Sequence, residues 1–142
     1  MSILVRRALP EDRDRIVEID SIAGREPERL DYVAEFLEER HCFIAEEDGV
    51  VEGYGVMDHS FFGRGFISLV FVKEDRRRSG IGSALFERLE AECSSKGIFT
   101  STNASNLGMQ AFLGKRGYRL SGLVDNLDKD DPELFFFKDL GC

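Results

Sequence analysis

Apolar positions along the 142-residue chain fall into two periods, alternation for strands and three-to-four spacing for helices, so a mixed fold is expected. Ile3 to Ala8 alternates as a first strand. Pro10 then opens a helix through Ile16 and Ile19, with acidic residues in its first turn. After Pro27, Leu30, Val33, Ala34 and Leu37 recur at helical spacing, with Tyr32 and Phe36 on an adjoining strip. Strands Cys42 to Glu46 and Val50 to Met57 flank Asp48-Gly49, a two-residue hairpin signal. A loop over Ser60 to Arg64 leads to a strand over Gly65 to Lys73. There follow a helix with Ile81, Ala84, Leu85 and Leu89 on one face, a strand over Ile98 to Thr102 and a helix over Asn106 to Lys115. A strand over Tyr118 to Val124, an acidic loop and a last strand over Leu134 to Lys138 complete the order.

One stretch carries chemistry. Between the strand ending at Val72 and the helix with Leu85 lies Lys73-Glu74-Asp75-Arg76-Arg77-Arg78-Ser79-Gly80-Ile81-Gly82-Ser83. Its two glycines let backbone approach a ligand, and the first amides of the helix lack intrahelical acceptors. Such donors, backed by the helix dipole, suit a pyrophosphate, and guanidinium forks match phosphate oxygens. A mononucleotide P-loop is excluded, because Gly82 is followed by Ser83 and Ala84 rather than by Lys and Ser/Thr. A dinucleotide fingerprint is excluded because its third glycine is Leu85 here.

Arg77, Gly80 and Gly82 fill the pattern Arg/Gln-x-x-Gly-x-Gly/Ala, and Asn106, Met109, Phe112, Leu113, Gly117 and Tyr118 follow the register of a second block. On these two blocks the chain resembles the GNAT family of coenzyme A dependent N-acetyltransferases. The resemblance spans essentially the whole sequence and implies one domain over residues 1–142. It also implies an α/β fold: a central, mostly antiparallel twisted sheet of six or seven strands with about four flanking helices, splayed between the fourth and fifth strands. Acetyl-CoA would then be the cosubstrate, its pantetheine arm pairing with the backbone of Val70, Phe71 and Val72. Its pyrophosphate would lie on the segment Arg77, Arg78, Ser79, Gly80, Ile81, Gly82 and Ser83, and Asn106 would touch the pantetheine or phosphate end. Met109, Phe112 and Leu113 also read as a core stripe, and Asn106 as a helix cap.

Two positions depart from the family. Leu113 stands where a tyrosine usually protonates the leaving thiolate, and Ser101 where some members have a glutamate. Asp58 and His59 are the candidates for a base, His59 because imidazole titrates near neutrality. The acidic loop Asp125-Asn126-Leu127-Asp128-Lys129-Asp130-Asp131 is either a solvated loop or an amine-recognition element. The expected reaction is direct transfer of an acetyl group to a primary amine of a small molecule or an amino terminus. The alternative is a noncatalytic acyl-CoA binding or sensor domain of the same fold.

Composition narrows the partners. Net charge is −8, from 19 basic and 27 acidic residues, which disfavours nucleic acid. A local basic cluster can still hold an anion, since surface charges are screened over about 8 Å at physiological salt, and an acidic remainder favours a cationic acceptor. No apolar run approaches the length of a membrane span and no leader pattern opens the chain, so a cytoplasmic protein is expected. Cys42, Cys93 and Cys142 support neither a disulfide framework nor a metal site. Phe61, Phe62 and the run Phe135 to Phe137 are candidates for a homodimer contact, though strand alternation accounts for the latter equally.

Overall fold

A computed structural model describes residues 2–20, 28, 31, 34, 35, 37 and 41–141. Its strands are β1 (Ile3–Arg7), β2 (Cys42–Glu47), β3 (Val50–Phe61), β4 (Arg64–Val72), β5 (Gly97–Asn103), β6 (Arg119–Val124) and β7 (Glu133–Asp139). Hydrogen bonding orders them β1-β2-β3-β4-β5-β7-β6. The sheet is antiparallel at β1–β2, β2–β3, β5–β7 and β6–β7, and parallel at β4–β5. Helices α1 (Arg13–Ile19), α2 (Ile81–Glu92) and α3 (Leu107–Lys115) are described over their whole length. Of the helix expected after Pro27, Glu28, Asp31, Ala34, Glu35 and Leu37 are helical; Leu30, Tyr32, Val33 and Phe36 lie outside the described residues.

The contacts divide the chain into two compact units, one running to Met57 and taking in Leu69–Glu92, the other holding Asp58–Ser68 and the chain from Cys93 onward. In the first unit, Ile16, Leu37, Tyr54, Val56 and Phe71 form a core with Val17, Ile19 and Leu69 packed against it. A second cluster joins Ala45, Ile81 and Leu85 to Ile3, Val5, Val70 and Val72. Strand alternation on β4 explains the division: Phe71 turns one way, Val70 and Val72 the other. Helix α2 packs close to β3 because Gly53 has no Cβ; one built there would lie 2.8 Å from the Phe71 carbonyl oxygen and 3.0 Å from Ile81 Cγ2. Gly53→Ala should therefore destabilise the protein by about 1–3 kcal/mol, read as a lowered denaturation midpoint at unchanged m.

The Asp48-Gly49 turn forms as the sequence predicts, with φ of 53° and 80°. The next hairpin corrects the expected loop. Ser60 and Phe61 belong to β3, Arg64 opens β4, and the turn is Phe62-Gly63 alone, with φ of 53° and 76°. A phenylalanine in left-handed backbone is an unusual turn residue, which is why the pattern reads as loop.

In the second unit β4 pairs with β5 from Gly65↔Ile98 to Ile67↔Thr100. Thr100 Oγ1 donates to the Ile67 carbonyl at 2.9 Å where that register ends. Ile98, Thr100, Thr102, Leu113, Tyr118 and Phe136 are buried, while β6 is exposed throughout. Phe136 points to the opposite face from Phe135 and Phe137, so the aromatic run is accounted for by strand alternation.

Candidate active site

In the first unit, β4 ends in a short turn, Glu74–Arg76, that delivers the chain to α2. Arg78 and Gly80 both have positive φ, 66° and 92°. The Gly80 value is one that a side chain would strain, so a glycine is required there. The Gly80 carbonyl accepts from the Ala84 amide at 3.0 Å, which makes Gly80 the residue before the first helical turn. The amides of Ile81, Gly82 and Ser83 therefore precede any intrahelical acceptor and point out of the N-terminus of a 12-residue helix. Ser79 Oγ donates to the Arg76 carbonyl and braces the turn.

The three consecutive arginines have different roles. Arg76 is bound between two strands: its guanidinium lies 2.5 Å from Glu47 Oε1 and 3.6 Å from Glu52 Oε1. Hydrogen bonding to Glu47 raises its pKa further, so it is a fixed charge committed to the protein. Arg77 is folded back on β4, with Nε donating to the Val72 carbonyl at 3.1 Å and the guanidinium 5.6 Å above the Phe71 ring. Arg78 is exposed and stands beside the helix N-terminus. Val70, Phe71 and Val72 spend their side chains in the two cores, and the Val72 carbonyl already accepts from Arg77. Glu52 Oε2 is buried and has no hydrogen-bond partner among the described residues.

A second, half-buried ion pair holds the opening of α1. Asp12 Oδ2 and Oδ1 accept from Arg6 Nη1 and Nη2 at 2.9 and 3.1 Å, and Oδ2 accepts from the Leu9 amide at 2.7 Å. Burial alone would raise the Asp12 pKa, but the Arg6 fork and the Leu9 amide outweigh it and hold the carboxyl below its ordinary value. Nearby Cys42 is fully buried; burial, aided by the Asp12 charge, pushes its thiol far up. Cys42 should resist a thiol reagent in the native protein and react only on denaturation, as peptide mapping of the modified chain would read.

In the second unit, Asp58 Oδ1 accepts from the Ser60 amide at 3.0 Å and from its hydroxyl at 2.6 Å, a local turn. His59 Nε2 faces the Ser94 amide at 3.0 Å and its hydroxyl at 3.1 Å. An amide can only donate, so this nitrogen is the acceptor and is already engaged. Asn106 caps α3, its Oδ1 accepting from the Met109 amide at 3.0 Å. Leu113 is 0% exposed and offers no proton. The acidic loop is partly consumed by its own unit: Asn103 donates to Asp128 at 2.9 Å, and the Ser105 amide and hydroxyl donate to Asp131 at 3.0 and 2.6 Å. The sequence pattern did not reveal Glu133, whose Oε2 accepts from Ser101 Oγ at 2.6 Å.

These features can be set beside known proteins. The family model described as acetyltransferase (GNAT) family matches residues 9–118. The chain belongs to that family. An uncharacterised N-acetyltransferase of Methanocaldococcus jannaschii is 33% identical over 141 residues, covering 92% of this chain and 87% of that protein. The crystal structure of a GNAT-family acetyltransferase from Bacillus cereus superposes with a TM-score of 0.90 at 34% identity, covering 98% of each chain. An acetyltransferase from Salmonella typhimurium, solved with its cofactor acetyl-CoA, shares the GNAT fold at a TM-score of 0.75 and 19% identity, covering 99% of this chain and 95% of that one. Among the described residues no helix is long and apolar enough to cross a membrane, and no group of metal-ligating side chains is found.

Proposed function

We propose that the protein is an acetyl-CoA dependent N-acetyltransferase that passes the acetyl group directly to a primary amine of a small molecule or an amino terminus, with residues 1–142 acting as one catalytic domain in the cytoplasm. The observation that carries this reading is the turn at Gly80, with φ 92°, opening the N-terminus of α2 beside the exposed Arg78. Amides from Arg78 through Ser83 suit a pyrophosphate in donor chemistry and dipole sign. Arg77 serves the same site indirectly, by tying the turn to the Val72 carbonyl. The backbone of Val70, Phe71 and Val72 would hold the pantetheine amides. An amide at Val70 or Phe71 would donate to the thioester oxygen as negative charge develops there. Asn106, whose oxygen serves the helix cap, has its amide nitrogen for the pantetheine or phosphate end. Acetyl-CoA supplies the activated acyl group, and its thiolate leaves readily enough that the missing tyrosine at Leu113 need not abolish turnover. An amino-terminal acceptor is in keeping with a fold relative from Escherichia coli named as a ribosomal-protein-S18-alanine N-acetyltransferase.

The second reading, a noncatalytic acyl-CoA binding domain, is favoured by the complete burial of Leu113. A panel of primary amines and matched alcohols, assayed by release of coenzyme A thiol from acetyl-CoA, separates the two. Release that requires an amine supports the transferase; binding of acetyl-CoA with no release from any partner supports the sensor.

A further inference from the structure

Ser101 is the first residue of β5 beyond the β4–β5 register, which ends at Thr100. Across β7, Ser101 opposes Phe135 and Asn103 opposes Glu133, so Ser101 and Glu133 are diagonal neighbours on one face of the sheet. That face is aromatic. Phe99 lies 4.9 Å from Phe137, Phe61 lies 5.0 Å from Phe66 and 5.1 Å from Phe99, and Phe135 stacks at 5.7 Å on Phe61. All five rings are only half-buried.

Of the other carboxylates with contacts on this unit, the half-buried Asp58 accepts both the amide and the hydroxyl of Ser60 and the half-buried Asp131 both those of Ser105, while Asp125, Asp128 and Asp139 are exposed. Glu133 is half-buried, accepts one hydroxyl, and has no ion pair among the described residues. A carboxylate offers about four acceptor positions, so most of its capacity is unused. At the far end of this face the Arg119 guanidinium lies 5.3 Å above the Phe137 ring; at the near end the Glu133 charge beside Phe135 complements an ammonium group on an apolar body. The neighbouring loop adds Asp125, Asp128, Asp130 and Asp131 against a single Lys129, a field of the same sign.

We propose that Glu133 is the catalytic residue that takes a proton from the acceptor's ammonium group, that Ser101 positions it, and that Phe66, Phe99 and Phe135 seat an aromatic or otherwise apolar acceptor body. This rests on the N-acetyltransferase reading. One ammonium proton passes to Glu133, and the freed lone pair forms the C–N bond at the acetyl carbonyl. The C–S bond breaks with its electron pair on sulfur, the second nitrogen proton passes to that sulfur, and Glu133 returns its proton to solvent. The products are the N-acetylamine, coenzyme A thiol and one proton.

The test uses the full chain, acetyl-CoA, and three probes: 2-phenylethylamine, a tripeptide with amino-terminal phenylalanine, and ethanolamine. The wild type is expected to favour the two aromatic amines over ethanolamine, and whichever of the two is better identifies the source, small molecule or peptide. Glu133→Gln should lower kcat/KM for the better amine by about 100-fold near neutrality, within the range of acid–base catalysis, and recover part of the loss at high pH, where the amine arrives already deprotonated. The acetyl-CoA dissociation constant should stay within about twofold, as expected where the ground-state cofactor contacts are untouched. An active wild type whose Glu133→Gln variant keeps its rate near neutrality overturns the role of Glu133. An active wild type with no preference for the aromatic amines overturns the acceptor class. Wild type that binds acetyl-CoA but acetylates no amine overturns the transferase reading itself. Should Glu133→Gln not fold, Ser101→Ala, which keeps the carboxylate, is read instead: a several-fold lower kcat with an unchanged acetyl-CoA dissociation constant supports the assignment, and an unchanged kcat overturns it.

Discussion

Gly82→Trp should weaken acetyl-CoA binding at least 100-fold, about 2.7 kcal/mol, in a calorimetric titration. Gly82 is the second residue of α2, between the amides of Ile81 and Ser83 that the turn at Gly80 leaves without intrahelical acceptors. It lies off the buried stripe of Ile81, Leu85, Phe86 and Leu89 that anchors the helix. An indole at this point covers the donors that a pyrophosphate would use, yet helix propensity alone changes little or improves on replacing glycine. Loss of binding with a near-native melting temperature is the expected pair of results. Wild-type affinity in the variant would mean that the ligand does not use this helix end. Gly80→Ala should act more weakly on binding and more on stability, since its cost is backbone strain at φ 92° rather than obstruction.

Asp12→Ala should cost about 2–3 kcal/mol of stability, less than for a wholly buried pair because the Arg6 side chain is 31% exposed. Truncation removes both carboxylate oxygens from the Arg6 fork, leaving it the longer contact to Glu46 at 3.5 Å, and removes the acceptor of the Leu9 amide at the entry to α1. The pH dependence follows from the lowered pKa of Asp12. A carboxyl whose folded pKa is depressed contributes stability above its unfolded value, about 3.9, and loses it as the pH falls through the still lower folded value. Urea midpoints of wild type and variant should therefore differ fully near neutrality and converge below about pH 4. A constant difference across that range would show that Asp12 acts through packing rather than charge.

Much of this architecture was legible because its signals are local. Asp48-Gly49 between alternating strands, and a strand, glycine turn and apolar helix around Gly80, each lie within a few residues. The second hairpin escaped because Phe62 occupies a left-handed position that pattern reading assigns to glycine or asparagine. Side-chain pairing was invisible for another reason: it joins residues distant in the chain. Arg76 meets Glu47, 29 positions away, so one of three apparently equivalent arginines is withdrawn from the cradle. Ser101 meets Glu133 only through the β5–β7 register. A sequence shows that Ser101 is not a carboxylate; it does not show that a carboxylate from another strand reaches its hydroxyl. His59 shows the converse, a residue type suited to catalysis whose Nε2 is occupied by Ser94.

Thiol release by itself also counts hydrolysis of acetyl-CoA, so the most direct measurement identifies the product. The wild-type protein is incubated with acetyl-CoA labelled with carbon-13 in its acetyl group and with the best amine of the panel, and the small-molecule products are resolved by mass spectrometry. A labelled N-acetylamine formed one for one with free coenzyme A, and absent without protein, is the predicted result. Labelled acetate alone, or intact acetyl-CoA bound to a folded protein, would contradict acetyl transfer to an amine.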